Sequence, residues 1–198
     1  FAVVADEVRN LAMRAADAAH NTAELIEDTV KKGHPKVQLV CTGTFLRELI
    51  TAAAQLKNYW GVSADVWSIT SYNELAREAR DFVLWNMLNP EKKARFSYVA
   101  QQLTDCEGPV ISASDYVRNV AEQIRSFIPT SYTVLGTDGF GRSDTRKQLR
   151  KHFEINSNYV TVAALKALAE EGTIPASQVK DAIKKYHISI RKPNPLTA

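Results

Sequence analysis

Beyond Pro35 the chain alternates short apolar segments with longer amphipathic ones, and this alternation constrains the fold more than any other feature. The apolar segments predict buried strands; they are KVQLVCTG (36–43), ADVWSIT (64–70), GPVISAS (108–114) and YTVLG (132–136). Buried strands separated by helices are typical of a mostly parallel sheet that helices cover on both faces. We therefore expect a three-layer α/β domain.

The segments between and after these strands have helical periodicity or helix-stop signals. We expect Gly61 to end the first helix and Gly172 to cap the fifth. The predicted helices cover residues 44–60, 73–88, 115–128, 144–154, 159–172 and 176–188.

The first 33 residues follow a different pattern. Val4, Val8, Leu11 and Ala15 begin a series of four- and three-residue steps that continues to Thr29, and no Gly or Pro occurs before Gly33. This spacing is typical of a coiled-coil seam. The sequence thus predicts a long coiled-coil-type helix over 1–33, a junction over 34–36 and the α/β domain over 37–198.

Composition excludes several classes of protein. The chain is 45% hydrophobic and 24% charged, which is ordinary for a globular protein, and no apolar run approaches the ~20 residues that a membrane span needs. We expect a cytoplasmic protein without a membrane span. Cys41 and Cys106 lack metal-ligand spacing, so neither a zinc site nor a disulfide framework is predicted.

A basic run, RKQLRK at 146–151, is the strongest local concentration of positive charge. No aromatic residues interleave it, as binding to single-stranded nucleic acid would require. We interpret it as a solvated helix face and expect no nucleic-acid partner.

The loop GTDGFGRSD at 136–144 follows the fourth strand, where parallel sheets usually bind ligands. Its spacing is not GxGxxG, it lacks a Walker lysine, and Asp138 and Asp144 would repel phosphate. We therefore predict a structural or interface loop. Ser143 is predicted to cap a helix that begins at Asp144.

No catalytic constellation emerges from the sequence. The histidines are dispersed and are predicted to be surface or packing residues; they are His20, His34, His152 and His187. Ser143 lacks a G-x-S-x-G context, so it does not have the pattern of a nucleophile.

Several long motifs carry a family resemblance from about residue 36 to residue 198. They include VLGTDGFGRSDTR, ADVWSITSYNELAREARD, WNMLNP, SASDYVRNVAEQIRSFIP, YVTVAALKALAEEG and KPNP. Together they resemble the C-terminal domain of the homodimeric bacterial pyruvate dehydrogenase decarboxylating component, a transketolase-like enzyme. The element D-x-F-G-x-S resembles the corresponding transketolase-type loop; its residues here are Asp138, Phe140, Gly141 and Ser143.

The resemblance implies a role in assembly. In that family, thiamine diphosphate and magnesium lie between the first two domains of opposing subunits, and the third domain contributes to the dimer. It implies a homodimerisation domain of an acetyl-transferring pyruvate dehydrogenase, whose partners are the other domains or subunit. It also implies that this fragment has no catalytic, cofactor-binding or metal-binding residues and does not decarboxylate pyruvate alone.

The stretch FAVVADEVRNLAMRAADAAHNTAELIEDTV resembles the descending arm of the signalling tip of methyl-accepting chemotaxis proteins. That resemblance implies contacts with the chemotaxis kinase and its coupling protein through Phe1, Val3, Glu7 and Arg9. The same periodicity also fits an amphipathic helix that docks on its own domain.

Two resemblances in one chain predict a chimera, whose join is natural, engineered or erroneous. Besides the assembly domain, two functions stay open. One is a chemotaxis signalling module, and the other is an interaction domain that dimerises through its α/β surface.

Overall fold

A single four-stranded sheet organises residues 35–197, the part of the chain that the computed structural model describes. Its strands are β1 (Lys36–Cys41), β2 (Ser63–Ser68), β3 (Val110–Ala113) and β4 (Tyr132–Leu135). Their order is β2-β1-β3-β4, and every neighbouring pair is parallel. The predicted parallel sheet is therefore confirmed.

Seven helices accompany the sheet within these residues. They are α1 (Leu46–Gln55), α2 (Tyr72–Leu88), α3 (Tyr98–Leu103), α4 (Arg118–Glu122), α5 (Arg146–His152), α6 (Ser157–Glu170) and α7 (Ala176–Lys185). Short 3₁₀ turns occupy Gly43–Phe45 and Arg125–Phe127, and one π-helical turn occupies Leu56–Trp60.

Alternate residues of β1 separate the two faces of the sheet. Val37, Leu39 and Cys41 belong to a core that includes buried residues of α1 and α6. Val40 belongs to a second core, formed with α2, α3 and α4. Since successive strand side chains point to opposite faces, helices cover both sides, as the sequence predicts.

Two predicted helix ends are confirmed. Gly61 has φ +64° and ends the π-helical turn. Gly172 has φ +76°, its N–H donates to the Ala169 carbonyl, and the Thr173 N–H donates to the Leu168 carbonyl at 2.9 Å. These two bonds form a Schellman motif, which favours glycine at the left-handed position.

Two predicted helix starts are wrong. The segment 115–128 contains only the short α4 and a 3₁₀ turn, and Asp138 accepts the N–H of Arg118 at the start of α4. The helix predicted to begin at Asp144 begins at Arg146 instead. Its cap is Thr145, whose hydroxyl accepts the Gln148 N–H at 3.4 Å, and Ser143 caps nothing.

The boundaries 1–33, 34–36 and 37–198 stay predictions, because residues 1–34 lie outside the described part of the chain. Residues 35–198 form one compact unit. No helix between residues 35 and 197 combines the length and the apolar character that crossing a membrane demands.

Candidate functional site at the carboxyl edge of the sheet

Three strands end in polar residues at one edge of the sheet. Thr44 follows β1, Asp115 follows β3 and Asp138 follows β4. Because the strands are parallel, their carboxyl ends lie together, and ligands of open α/β sheets usually bind there. This edge is therefore the candidate site.

Arg150 of α5 lies at the centre of the edge and is only 7% exposed. Its Nε donates to Asp115 Oδ1 at 3.1 Å and its Nη2 donates to Oδ2 at 2.8 Å, a bidentate pair. Its Nη1 donates to Glu48 Oε1 at 3.3 Å. The Phe45 ring centre lies 4.7 Å from the guanidinium carbon. The hydrogen bond to Asp115 raises the pKa of Arg150 above its ordinary value.

Two further contacts close this network. Thr44 Oγ1 donates to Asp115 Oδ2 at 3.3 Å and accepts from Arg150 Nη2 at 3.4 Å. Glu48 Oε2 accepts the backbone N–H of Ser157, in the first turn of α6, at 2.9 Å. The guanidinium thus connects α5 to β3 and α1, and Glu48 connects α1 to α6.

The interpretation of RKQLRK as a solvated face is wrong for Arg150. Arg146, Lys147 and Lys151 are exposed, whereas Arg150 turns inward to carboxylates that lie 35 and 102 residues away. A buried cation requires such partners, since desolvation of an unpaired charge is costly.

A second ion pair joins the end of β4 to the start of α4. Asp138 Oδ1 accepts the Arg118 N–H at 2.9 Å, and Oδ2 accepts from Arg118 Nε. Thr137 donates its N–H to the Tyr116 carbonyl at 2.9 Å. A Cβ at Gly136 would lie 2.7 Å from both Arg118 N and Tyr116 O, so this close approach requires glycine.

The structure separates the four loop residues that the sequence singles out. Asp138 joins the ion pair with Arg118, whereas Phe140 is 77% exposed and Gly141 and Ser143 are also exposed. The interface role of this loop stays a prediction. The signalling contacts predicted on the first segment lie outside the described residues; they are Phe1, Val3, Glu7 and Arg9.

Titratable groups elsewhere do not join the edge network. Burial lowers the pKa of His152, and the positive charges of Arg142 and Lys192 lower it further. His187 lies just after α7, while His20 and His34 fall outside the described part. Between residues 35 and 197, no group of three or more His, Cys, Asp or Glu side chains is arranged to hold a metal ion.

Both cysteines are free thiols. Burial raises the pKa of Cys41 to about 11, and burial also raises the pKa of Cys106. A protonated thiol is a poor nucleophile, so neither has the environment of a reactive cysteine.

One apolar face, on α2, was not predicted from the sequence. Tyr72, Ala76 and Ala79 form its buried stripe, and helical spacing continues that stripe to Val83 and Met87. In this second half of α2 the apolar side chains are exposed. The exposed apolar residues are Val83, Leu84, Met87 and Leu88. We call these four residues the α2 apolar face. Periodicity predicts the stripe but does not reveal where the core stops covering it.

Comparison with known proteins gives a family match over most of the chain. The model of the transketolase-like TK C-terminal domain matches residues 25–156. The matched span begins inside the segment predicted to be receptor-like, and that resemblance stays a prediction.

Two relatives are similar over the same region. The pyruvate dehydrogenase E1 component of Cupriavidus necator is 54% identical over 163 residues, which cover 82% of this chain and 18% of the relative. That of Haemophilus influenzae is 49% identical over 176 residues, covering 88% of this chain and 19% of the relative. The chain therefore spans about a fifth of the length of these relatives.

Among solved structures, a split-gene transketolase described as an inactive beta4 tetramer aligns with a TM-score of 0.46 and 19% identity. The alignment covers 70% of this chain and 41% of that one.

Proposed function

The chain belongs to the transketolase-like TK C-terminal domain family, and on that premise we propose that residues 36–198 are an assembly and dimerisation domain. The parent is a thiamine diphosphate-dependent, acetyl-transferring pyruvate dehydrogenase. The 54% identity with an E1 component carries the proposal. In the proposed parent enzyme, this chain contributes structure and subunit contacts. The chain is not catalytic alone.

The pairing of charges at the carboxyl edge supports a structural role. Asp115 and Glu48 both bind Arg150, and Asp138 binds Arg118. A general base needs a free lone pair directed at substrate, and a carboxylate held bidentate by arginine is poorly suited to that task. These groups therefore fix the three strand ends against α1, α4 and α5.

The described residues do not fit a magnesium–diphosphate site. Magnesium in such sites takes carboxylate oxygens together with phosphate oxygens, and the carboxylates at this edge are already bound to arginines. No step of thiamine chemistry is assigned to this chain.

The α2 apolar face supports a subunit contact. Val83 and Met87, one turn apart on α2, are 55% and 67% exposed. Contiguous exposed apolar side chains of this kind mark protein interfaces more often than free surface. We assign the face to a second copy of the chain, because two identical stripes can pack around a two-fold axis and each covers the other.

Light scattering tests this contact. Met87→Lys places a charge in the stripe near the carboxyl end of α2, where a cation is compatible with the helix. We expect the chain to dimerise at micromolar concentration and this variant to be monomeric at the same concentration.

The matched control is Ile190→Lys, which makes the same type of change at a residue 84% exposed and outside the face. It should dimerise like the parent chain. A monomeric parent chain, or equal dimerisation of both variants, would remove the α2 apolar face from the proposal.

Two assays separate the assembly role from its rivals. Purified chain supplied with pyruvate, thiamine diphosphate and magnesium should show no decarboxylation, and turnover would refute the non-catalytic role. The signalling alternative depends on residues 1–33 and predicts capture of the chemotaxis coupling protein. Equal capture by a chain that starts at His34 would eliminate it.

A further inference from the structure

One cavity, to which no residue of α2 contributes, is surrounded by positive charge. It has a volume of about 890 Å³ and lies between α5, the first turn of α6 and the segment after α7. Its lining includes four cationic side chains but only one carboxylate, that of Asp144. The cationic residues are Arg142, Lys147, Lys151 and Lys192. We call this cavity the basic cleft.

The α5 helix contributes side chains both to the buried ion-pair network and to the cleft. Arg150 is buried and binds Asp115, while Lys147 and Lys151, four residues apart on α5, line the cleft. The run RKQLRK, predicted to be one solvated face, therefore contains a structural residue, Arg150, and two cleft residues, Lys147 and Lys151.

Three of the four cations have no anionic partner among residues 35–197. Lys192 Nζ donates to Glu154 Oε1 at 3.1 Å and to the Lys151 carbonyl at 3.3 Å, so its charge is partly compensated. Among residues 35–197, no carboxylate lies within ion-pair distance of Arg142, Lys147 or Lys151. Like charges around one cavity repel, and a bound anion would relieve this repulsion.

Neutral donors in the same cleft add directional contacts. The Tyr159 hydroxyl has no hydrogen-bond partner in the described part of the chain, and burial raises the pKa of Tyr159, so the group stays a proton donor. The volume is in the range of cavities that enclose small ligands.

From the unpaired cations, the free hydroxyl and the concave shape, we infer that the basic cleft binds a small polyvalent anion of the phosphate class. Arg142 and the two α5 lysines would contact its oxygens, and Tyr159 would donate a hydrogen bond. A concave cleft with an inward-facing donor favours a small anion over an acidic protein surface, which would need a broad, open patch.

Isothermal titration of the full chain with inorganic diphosphate, at constant ionic strength, tests the inference. We expect saturable one-to-one binding below about 10 mM. The double variant Lys147→Gln/Lys151→Gln should weaken binding about tenfold, since two charges at the cavity wall are removed.

The matched control is Lys180→Gln/Lys184→Gln, which removes two exposed lysines with the same spacing from α7, outside the cleft. It should bind diphosphate like the parent chain. Equal weakening by both double variants would reduce the effect to general charge attraction and overturn the site, as would the absence of saturation.

A third titration, with hexaglutamate, separates the ligand classes. Weak binding of this peptide that is insensitive to Lys147 and Lys151 supports a small-anion site. Binding of hexaglutamate that is tighter than that of diphosphate and lost in the cleft variant would assign the cleft to an acidic protein partner instead. Circular dichroism of each variant establishes that it is folded.

Discussion

Arg150→Met removes the cation that joins three chain segments while it keeps an unbranched side chain at this position. Two carboxylates, Asp115 and Glu48, then lose their common partner. Methionine is also a good helix former, so α5 itself should persist. The loss of stability in this variant therefore reports the loss of the charge network rather than the loss of the helix.

The magnitude follows from burial on both sides of the ion pairs. Removing one partner of a buried pair costs about 3–5 kcal/mol. Here the Arg150 side chain is 8% exposed, but those of Asp115 and Glu48 are 45% and 26% exposed, so water compensates part of the loss. We expect Arg150→Met to lower the free energy of unfolding by about 3 kcal/mol. For a domain of this size the melting temperature should fall by roughly 6–12 °C.

Urea denaturation, followed by circular dichroism, measures this loss. The control is Arg146→Met on the same helix, which removes an exposed arginine without an ion-pair partner within residues 35–197 and should change the free energy by less than about 0.5 kcal/mol. Arg150→Lys keeps the charge without the bidentate geometry and should fall between the two. An Arg150→Met variant as stable as Arg146→Met would refute the structural role of the network.

Three further predictions concern the same region. Gly136→Ala should destabilise the protein by about 2 kcal/mol because its Cβ would meet backbone atoms, whereas Gly141→Ala, in open space, should be nearly neutral in thermal melts. Thr145→Ala should cost about 1 kcal/mol through the lost cap and Ser143→Ala close to nothing, which urea titration can resolve. Because burial raises the pKa of Cys41 from 9.0 to about 11, its stabilising contribution is present below pH 9 and is lost as the pH rises towards 11. The free energy of unfolding should therefore decline across that window, and Cys41→Ala should make the decline shallower by up to about 2 kcal/mol.

Features that depend on neighbouring residues were predictable from the sequence. The strands and their parallel arrangement followed from apolar runs separated by helical periodicity. The ends at Gly61 and Gly172 followed from the conformational freedom of glycine, and both have positive φ. Each of these inferences uses interactions within a few residues, so the sequence contains what they require.

Features that depend on distant partners were not predictable. Nothing within RKQLRK distinguishes Arg150 from its neighbours, because its partners Asp115 and Glu48 come close only after the sheet forms. The contact between Asp138 and the first N–H of α4 was also not predictable, since it joins residues 20 apart in the sequence. The α2 apolar face escaped detection because periodicity does not locate the edge of a core.

Pyruvate turnover by a hybrid enzyme tests the proposed assembly role of this chain. In the hybrid, the 163 matched residues of the Cupriavidus necator E1 component are replaced by the corresponding part of this chain. We predict that the hybrid decarboxylates pyruvate within about tenfold of the parent rate, while the isolated chain does not. A folded hybrid that binds thiamine diphosphate but is inactive, or turnover by the isolated chain, would contradict it.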